Sequence, residues 1–240
     1  MAWFRSGSER WKGRKPAGGR ARDGVIAALV QFACLVLIAA SANAAESGPI
    51  KIAAFGDSLT AGYELPARAA FPAVLERRLR ADGFAVEIAN AGVSGDTSAG
   101  GLARLDWSTP EGTDLVIVEL GANDMLRGAP PAGTVQALTT IIKRLQARKI
   151  VVVLAGMRSI DNWGAAYRAE FDAIYPDLAR RFDAPLYPFF MEGVSGNRAL
   201  TLPDGLHPNV AGVEKMVEGF APFLEKTLLE RFGARAKTEN

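Results

Sequence analysis

From Pro49 onward the chain alternates short apolar runs with longer amphipathic stretches, and no other feature constrains its fold as strongly. Lys51–Phe55, Val86–Ala89, Leu115–Leu120 and Ile150–Leu154 are short and mostly apolar, as strands buried on both faces of a parallel sheet are. Pro185–Pro188 is a weaker fifth run, and its flanking prolines place it at an edge. Between the runs, Phe71–Ala81 puts Phe71, Val74, Leu75 and Leu79 on one helical face, and Val135–Ala147 does the same with Leu138, Ile141, Ile142 and Leu145. Trp163–Phe182 and Val210–Phe232 are further helical stretches. Such alternation predicts an α/β fold, a central, mostly parallel five-stranded sheet with helices wound on both faces. No internal repeat or linker interrupts it, so residues 45–232 are expected to form one domain, with the polar Gly233–Asn240 as a flexible tail.

The first 44 residues have a different character. Seven basic residues, Arg5 to Arg22, precede an apolar run from Val25 to Ala40, and Ala42-Asn43-Ala44 follows. Basic, apolar and A-x-A in that order is the pattern of a secretory signal peptide, cleaved near Ala44. The alternative is a retained anchor, but the run is shorter than the ~20 residues of a membrane span. Cys34 lies inside the run, in a poor context for lipid attachment. Seven of the 28 basic and two of the 26 acidic residues lie in this leader, so the remainder carries 21 basic and 24 acidic residues, near −3. The basic character therefore belongs to the leader and gives no support for nucleic-acid binding. Without Cys34 the mature chain has no thiol and no disulfide, which suits a bacterial periplasm or the exterior.

In an open parallel sheet, ligands bind beyond the carboxyl ends of the strands, so the segments after each run are where chemistry is expected. Gly56-Asp57-Ser58-Leu59 follows the first. A serine at a strand-to-helix turn is exposed on a rigid support with its amide pointing outward; as a lone feature it could equally cap the next helix. His207 is the only histidine, in Asp204-Gly205-Leu206-His207-Pro208 before the last helix. An aspartate three residues back can take a hydrogen bond from one ring nitrogen, leaving the other to accept a serine proton; Asp204 could also serve the turn. Acyl transfer further needs donors for the developing oxyanion. Gly95 can offer its backbone N–H and Asn123 its side-chain amide, although a tight turn and an Asx-turn would explain them equally.

The combination is more specific than its parts. Ser58, Gly95, Asn123 and His207 stand in four separate blocks in that order, and the chain resembles the SGNH, or GDSL, hydrolase superfamily, whose blocks supply those four residue types. Phe55–Tyr63, Asn90–Leu105 and Ala184–Glu192 are similar to the subgroup of bacterial thioesterase I/lysophospholipase L1 enzymes and arylesterases, and the resemblance spans residues 50–230. It implies a three-layer α/β/α sandwich of flavodoxin-like type. It also implies a two-step acyl transfer with Ser58 as nucleophile, His207 as base and then acid, and Asp204 orienting His207. The Ser58 and Gly95 N–H groups and Asn123 would form the oxyanion hole. Asp57 and Asp124 would hold loops rather than perform chemistry. Ala122 stands where close relatives often have glycine, which could narrow the acyl entrance. The Met157–Trp163 loop differs from close relatives, and Trp163 could either line the acyl groove or be half-buried in ordinary packing.

Other chemistries lack their signatures. There is no G-x-S-x-G elbow and no G-x-x-x-x-G-K-[ST] loop, and one histidine with no mature cysteine argues against a zinc site. No cofactor or metal is expected. The expected substrate is a small acyl ester or thioester, with membrane lipid as a possible source, and the default state is a monomer. Two alternatives remain at this level: an O-acetyl esterase acting on cell-envelope polysaccharide, and a noncatalytic envelope-binding module on the same fold.

Overall fold

A computed structural model describes residues 48–238. The leader, and with it the expected signal peptide, lies outside the described residues. Five strands form one sheet: β1 (Ile50–Gly56), β2 (Val86–Gly92), β3 (Leu115–Glu119), β4 (Val151–Ala155) and β5 (Leu186–Tyr187). Every pairing is parallel, in the order β2-β1-β3-β4-β5. This is the flavodoxin-like order, in which the winding reverses between β1 and β3. The registers Gly56↔Gly92 and Gly56↔Glu119 bring three strands to a common carboxyl end there.

Among the described residues seven helices flank the strands: α1 (Ser58–Ala61), α2 (Phe71–Ala81), α3 (Ser98–Ser108), α4 (Ala122–Leu126), α5 (Pro131–Ala147), α6 (Gly164–Phe182) and, after β5, α7 (Val210–Phe232). Helices α2 and α7 pack together on one face, while α3, α5 and α6 pack in sequence on the other. The result is the α/β/α sandwich. β3 is buried along its whole length, as its apolar run requires. The apolar stripe of α5 through Leu138, Ile141, Ile142 and Leu145 is fully buried, and on the opposite face Phe71 meets Phe190 and Phe220 edge-to-face. Among the described residues, no helix is long and apolar enough to cross a membrane.

Three local expectations change. β2, read as buried on both faces, is an edge strand with Glu87, Ala89 and Asn90 exposed. Helix α3 occupies a stretch in which the hydrophobic pattern predicts no element. Residues 233–238, expected to fray, are docked: Gly233–Ala236 form a 3₁₀ turn, Ala236 is buried and Phe84 pairs with Lys237. The composition of this segment is polar, but Arg235 has a carboxylate partner in Asp114.

Candidate active site

The end of β1 is shaped around a buried carboxyl. Glu119, the last residue of β3, is fully buried and its Oε2 accepts from Thr60 Oγ1 (2.7 Å) and Asp57 N–H (3.2 Å). A Cβ at Gly56 would stand 2.1 Å from Thr60 Oγ1 and 2.5 Å from Glu119 Oε2, so only glycine leaves room for them. At the end of β2, a Cβ on Gly92 would stand 2.3 Å from the Ala61 amide nitrogen, so α1 lies directly against that strand. Asp57 caps α1 through Leu59 N–H (3.0 Å) and accepts from Asn123 Nδ2 (3.0 Å). Ser58 is then the first residue of α1, at the switch point between β1 and β3.

His207 reaches Ser58 from the segment before α7. Asn209 caps that helix, accepting from Gly212 N–H, and a bridge between Thr201 and Pro208 holds the loop. Asp204 Oδ1 accepts from Leu206 N–H (2.8 Å) and His207 N–H (3.0 Å), and its Oδ2 lies 2.6 Å from His207 Nδ1. Burial pushes Asp204 up, but hydrogen bonds from the His207 ring and from the His207 and Leu206 N–H groups outweigh it and bring Asp204 down to about 2. An ionised carboxylate only accepts, so Nδ1 carries the proton and Nε2 presents its lone pair. Nε2 is 2.8 Å from Ser58 Oγ. The arrangement can take a proton from the Ser58 hydroxyl as it attacks a carbonyl. Tyr63 covers the imidazole, ring centroids 4.4 Å apart.

Ser58, Asn123 and His207 line one cleft of about 130 Å³. Met125, Met157, Ile160, Phe189, Met191 and Leu206 supply much of its apolar wall. Ala122 lines it too, but Trp163 does not. Trp163 donates to the Met125 carbonyl (2.8 Å) and its ring lies where a Cβ on Gly128 would be, which is the packing alternative. Gly95 is outside the lining. Its loop adjoins α1 through the Val93 N–H bond to Gly56 O (3.0 Å), and its φ of 83° suits glycine. Among the described residues, neither Ser58 N–H nor Gly95 N–H has an acceptor, and Asn123 keeps one amide hydrogen beyond its bond to Asp57. No group of three or more His, Cys, Asp or Glu among the described residues is placed to hold a metal ion.

Sequence reasoning missed two residues that shape this site. Glu119 sat unremarked at the end of an apolar run, where a lone carboxylate was the available signal. Arg104, on α3, pairs with Asp96 (2.5 Å) and donates to Gly56 O (2.9 Å) and Ala91 O (2.8 Å), tying the ends of β1 and β2 to the Gly95 loop. Asp124, on α4, ties that turn to the start of α3, accepting from Ser98 N–H (2.7 Å) and Ser98 Oγ (2.6 Å).

A cleft at the switch point of a parallel sheet, with a hydroxyl, an imidazole and a carboxylate in line, is the architecture of the α/β/α ester hydrolases. Residues 54–215 match the GDSL-like Lipase/Acylhydrolase family, and the chain belongs to it as a carboxylic ester hydrolase. It is 36% identical over 202 residues to Esterase TesA of Pseudomonas aeruginosa, covering 84% of this chain and 99% of that protein. It is 42% identical over 179 residues to the protein of Escherichia coli strain K12 named thioesterase 1/protease 1/lysophospholipase L1, covering 74% and 83%. Among solved structures, the SGNH-hydrolase family esterase AlinE4 matches with a TM-score of 0.63 at 48% identity, over 75% of this chain and 97% of that one.

Proposed function

We propose that Ser58 is the nucleophile of this hydrolase, His207 its general base and acid, and Asp204 the residue that orients His207. The observation that carries this reading is the unbroken relay Asp204 Oδ2, His207 Nδ1, His207 Nε2, Ser58 Oγ, at 2.6 and 2.8 Å. Ser58 Oγ attacks the acyl carbon while its proton passes to Nε2. The tetrahedral oxyanion takes hydrogen bonds from Ser58 N–H, Gly95 N–H and Asn123 Nδ2. On collapse the carbon–oxygen or carbon–sulfur bond breaks, and Nε2–H protonates the leaving alcohol or thiol. Water, deprotonated by Nε2, then attacks the acyl-enzyme and releases the carboxylic acid and the free Ser58 hydroxyl.

The apolar cleft receives the acyl chain. A water-sized group needs about 10–15 Å³ of such volume, so the cleft holds roughly ten, a short to medium chain. Esterase, thioesterase and lysophospholipase, the activities named for the relatives, share the acyl carbonyl that this site addresses. Hydrolysis of p-nitrophenyl esters from acetate to palmitate, by the chain from residue 45 and by its Ser58→Ala variant, tests both points. The expected profile peaks at medium chain length, with Ser58→Ala slower by about 10⁴-fold or more. Activity retained in folded Ser58→Ala would overturn the assignment, and activity on acetate alone would move the substrate to O-acetyl groups.

The basic leader and apolar run support export to a bacterial periplasm or beyond, where membrane lipid is at hand as a source of substrate. N-terminal sequencing of the exported protein is expected to begin at Ala45; an intact leader on the mature protein would contradict this.

A further inference from the structure

Glu119 and Asp57 form a pair of buried carboxyls beneath the site, and the acyl-transfer steps use neither. Both are fully buried, and Asp57 N–H donates to Glu119 Oε2 (3.2 Å), so the two residues are direct neighbours. Three of their four oxygens have partners: Asp57 Oδ1 holds Leu59 N–H, Asp57 Oδ2 holds Asn123 Nδ2, and Glu119 Oε2 holds Thr60 Oγ1 and Asp57 N–H. The fourth, Glu119 Oε1, is buried with no partner among the described residues. A buried acceptor left so is destabilising, the more so if charged. A protonated Glu119 removes that cost, because a carboxyl O–H has an acceptor in the adjacent Asp57.

We propose that Glu119 is a positioning residue for the oxyanion donor: it holds a proton and donates it to Asp57, which keeps Asp57 a pure acceptor and so fixes the Asn123 amide with Nδ2 toward the cleft. The assignment rests on the reading of Asn123 as an oxyanion donor. A neutral Asp57 could itself donate, and would allow the amide to turn its Oδ1 to where Nδ2 stands, presenting a lone pair to the oxyanion. Burial and the Asp57 charge push Glu119 well up, while burial raises Asp57 to about 6, so Glu119 is the member of the pair pushed further toward its protonated form. The other titratable groups that act on the pair are His207, from the loop before α7, and Tyr175, from α6; Arg104, from α3, bonds to the backbone carbonyl of Gly56 beside it. Tyr175 donates to Leu120 O and Arg104 to Gly56 O, so neither supplies the Asp57 carboxylate with a proton.

Glutamine copies a protonated glutamate: its Oε1 accepts where Glu119 Oε2 does and its amide donates toward Asp57. Glu119→Leu is expected to lower kcat by roughly tenfold to a hundredfold with KM little changed, less than the 10²–10³ of deleting a donor. Glu119→Gln is expected to restore kcat to within about threefold of the parent. In an Asn123→Ala background, Glu119→Leu should cost almost nothing more, because its effect passes through Asn123. Independently of activity and of whether Glu119→Leu folds, the infrared spectrum at about pH 8 should contain the carbonyl stretch of a protonated carboxyl that disappears in Glu119→Gln. Absence of that band, failure of glutamine to restore kcat, or an undiminished cost of Glu119→Leu on top of Asn123→Ala would each overturn the assignment. Full activity of Asn123→Ala would instead overturn the oxyanion reading beneath it, while the infrared band would still report the Glu119 proton.

Discussion

Asp57 connects the stability of this protein to its chemistry. Burial raises its carboxyl from 3.8 to about 6, against hydrogen bonds from Leu59, Glu119 and Asn123 that favour the ionised form. Between those values the folded chain binds a proton that the unfolded chain has released, so this group's contribution to stability is fully present below about pH 4 and is lost as pH rises through about 6. The cost of ionising it in the fold is of order 3 kcal/mol. Urea unfolding between about pH 4 and pH 8 should therefore show a fall in stability with rising pH that is shallower in Asp57→Asn, the remainder coming from Glu119, whose carboxyl is also pushed up by burial. The same variant should lose kcat, since an amide in place of Asp57 can turn a second donor toward Asn123 Nδ2. An identical pH slope in Asp57→Asn would remove Asp57 as its source. The site's visible residues were legible because they are singular: one histidine, with an aspartate three residues earlier, and a serine straight after an apolar run. Glu119 and Arg104 were not. Their contacts with Gly56, Asp57, Thr60 and Ala91 reach across 13 to 62 positions, and a buried carbonyl leaves no mark on the sequence.

At the scale of elements, legibility follows the length of the hydrophobic pattern. The α2 and α7 boundaries agree with the periodicity at both ends, and α5 begins four residues earlier than its stripe, at Pro131, where proline suits a helix start. Helix α3 was missed because Gly100 and Gly101 each cost a helix about 1 kcal/mol relative to alanine. Tertiary contacts overrule that propensity. A Cβ on Gly101 would stand 2.4 Å from Leu120 Cδ1, so the glycine is what lets α3 lie close on the sheet. The helix start is secured by Thr97, which accepts from Gly100 N–H, and by Asp124, which holds Ser98. Once formed, α3 delivers Arg104 to the strand ends. The single turns α1 and α4 are too short to show any period, although they carry Ser58 and Asn123. β2 could not be recognised as an edge strand from its own residues, because edge position depends on the order in which strands pair.

At the scale of the molecule, the two ends of the sheet do different work. The carboxyl end is open and carries the cleft; the amino end is closed by the last turn of the chain. Arg235 makes a two-pronged pair with Asp114, at 2.9 and 2.8 Å, and Asp114 Oδ2 also accepts from Lys51 N–H at the start of β1. Ala85 N–H bonds to Ala236 O, Thr238 N–H bonds to Gly83 O, and the Lys237 ammonium lies 3.5 Å from the centre of the Phe84 ring. Both members of the Arg235–Asp114 pair are mostly buried. Removing one member of such a pair leaves the other charge poorly compensated, at roughly 3 kcal/mol. A chain ending at Phe232 should therefore melt lower by roughly 6–12 °C, the shift expected for that loss in a domain of this size. Its kcat and KM, measured well below the melting range, should match the full chain, because Ser58, His207 and Asn123 sit at the other end of the strands. An unchanged melting temperature would mean that the docked segment contributes nothing to the fold. A changed kcat in a truncated chain that still melts cooperatively would mean that the amino end of β1 transmits strain through the strand to Ser58, and the two ends would no longer count as independent.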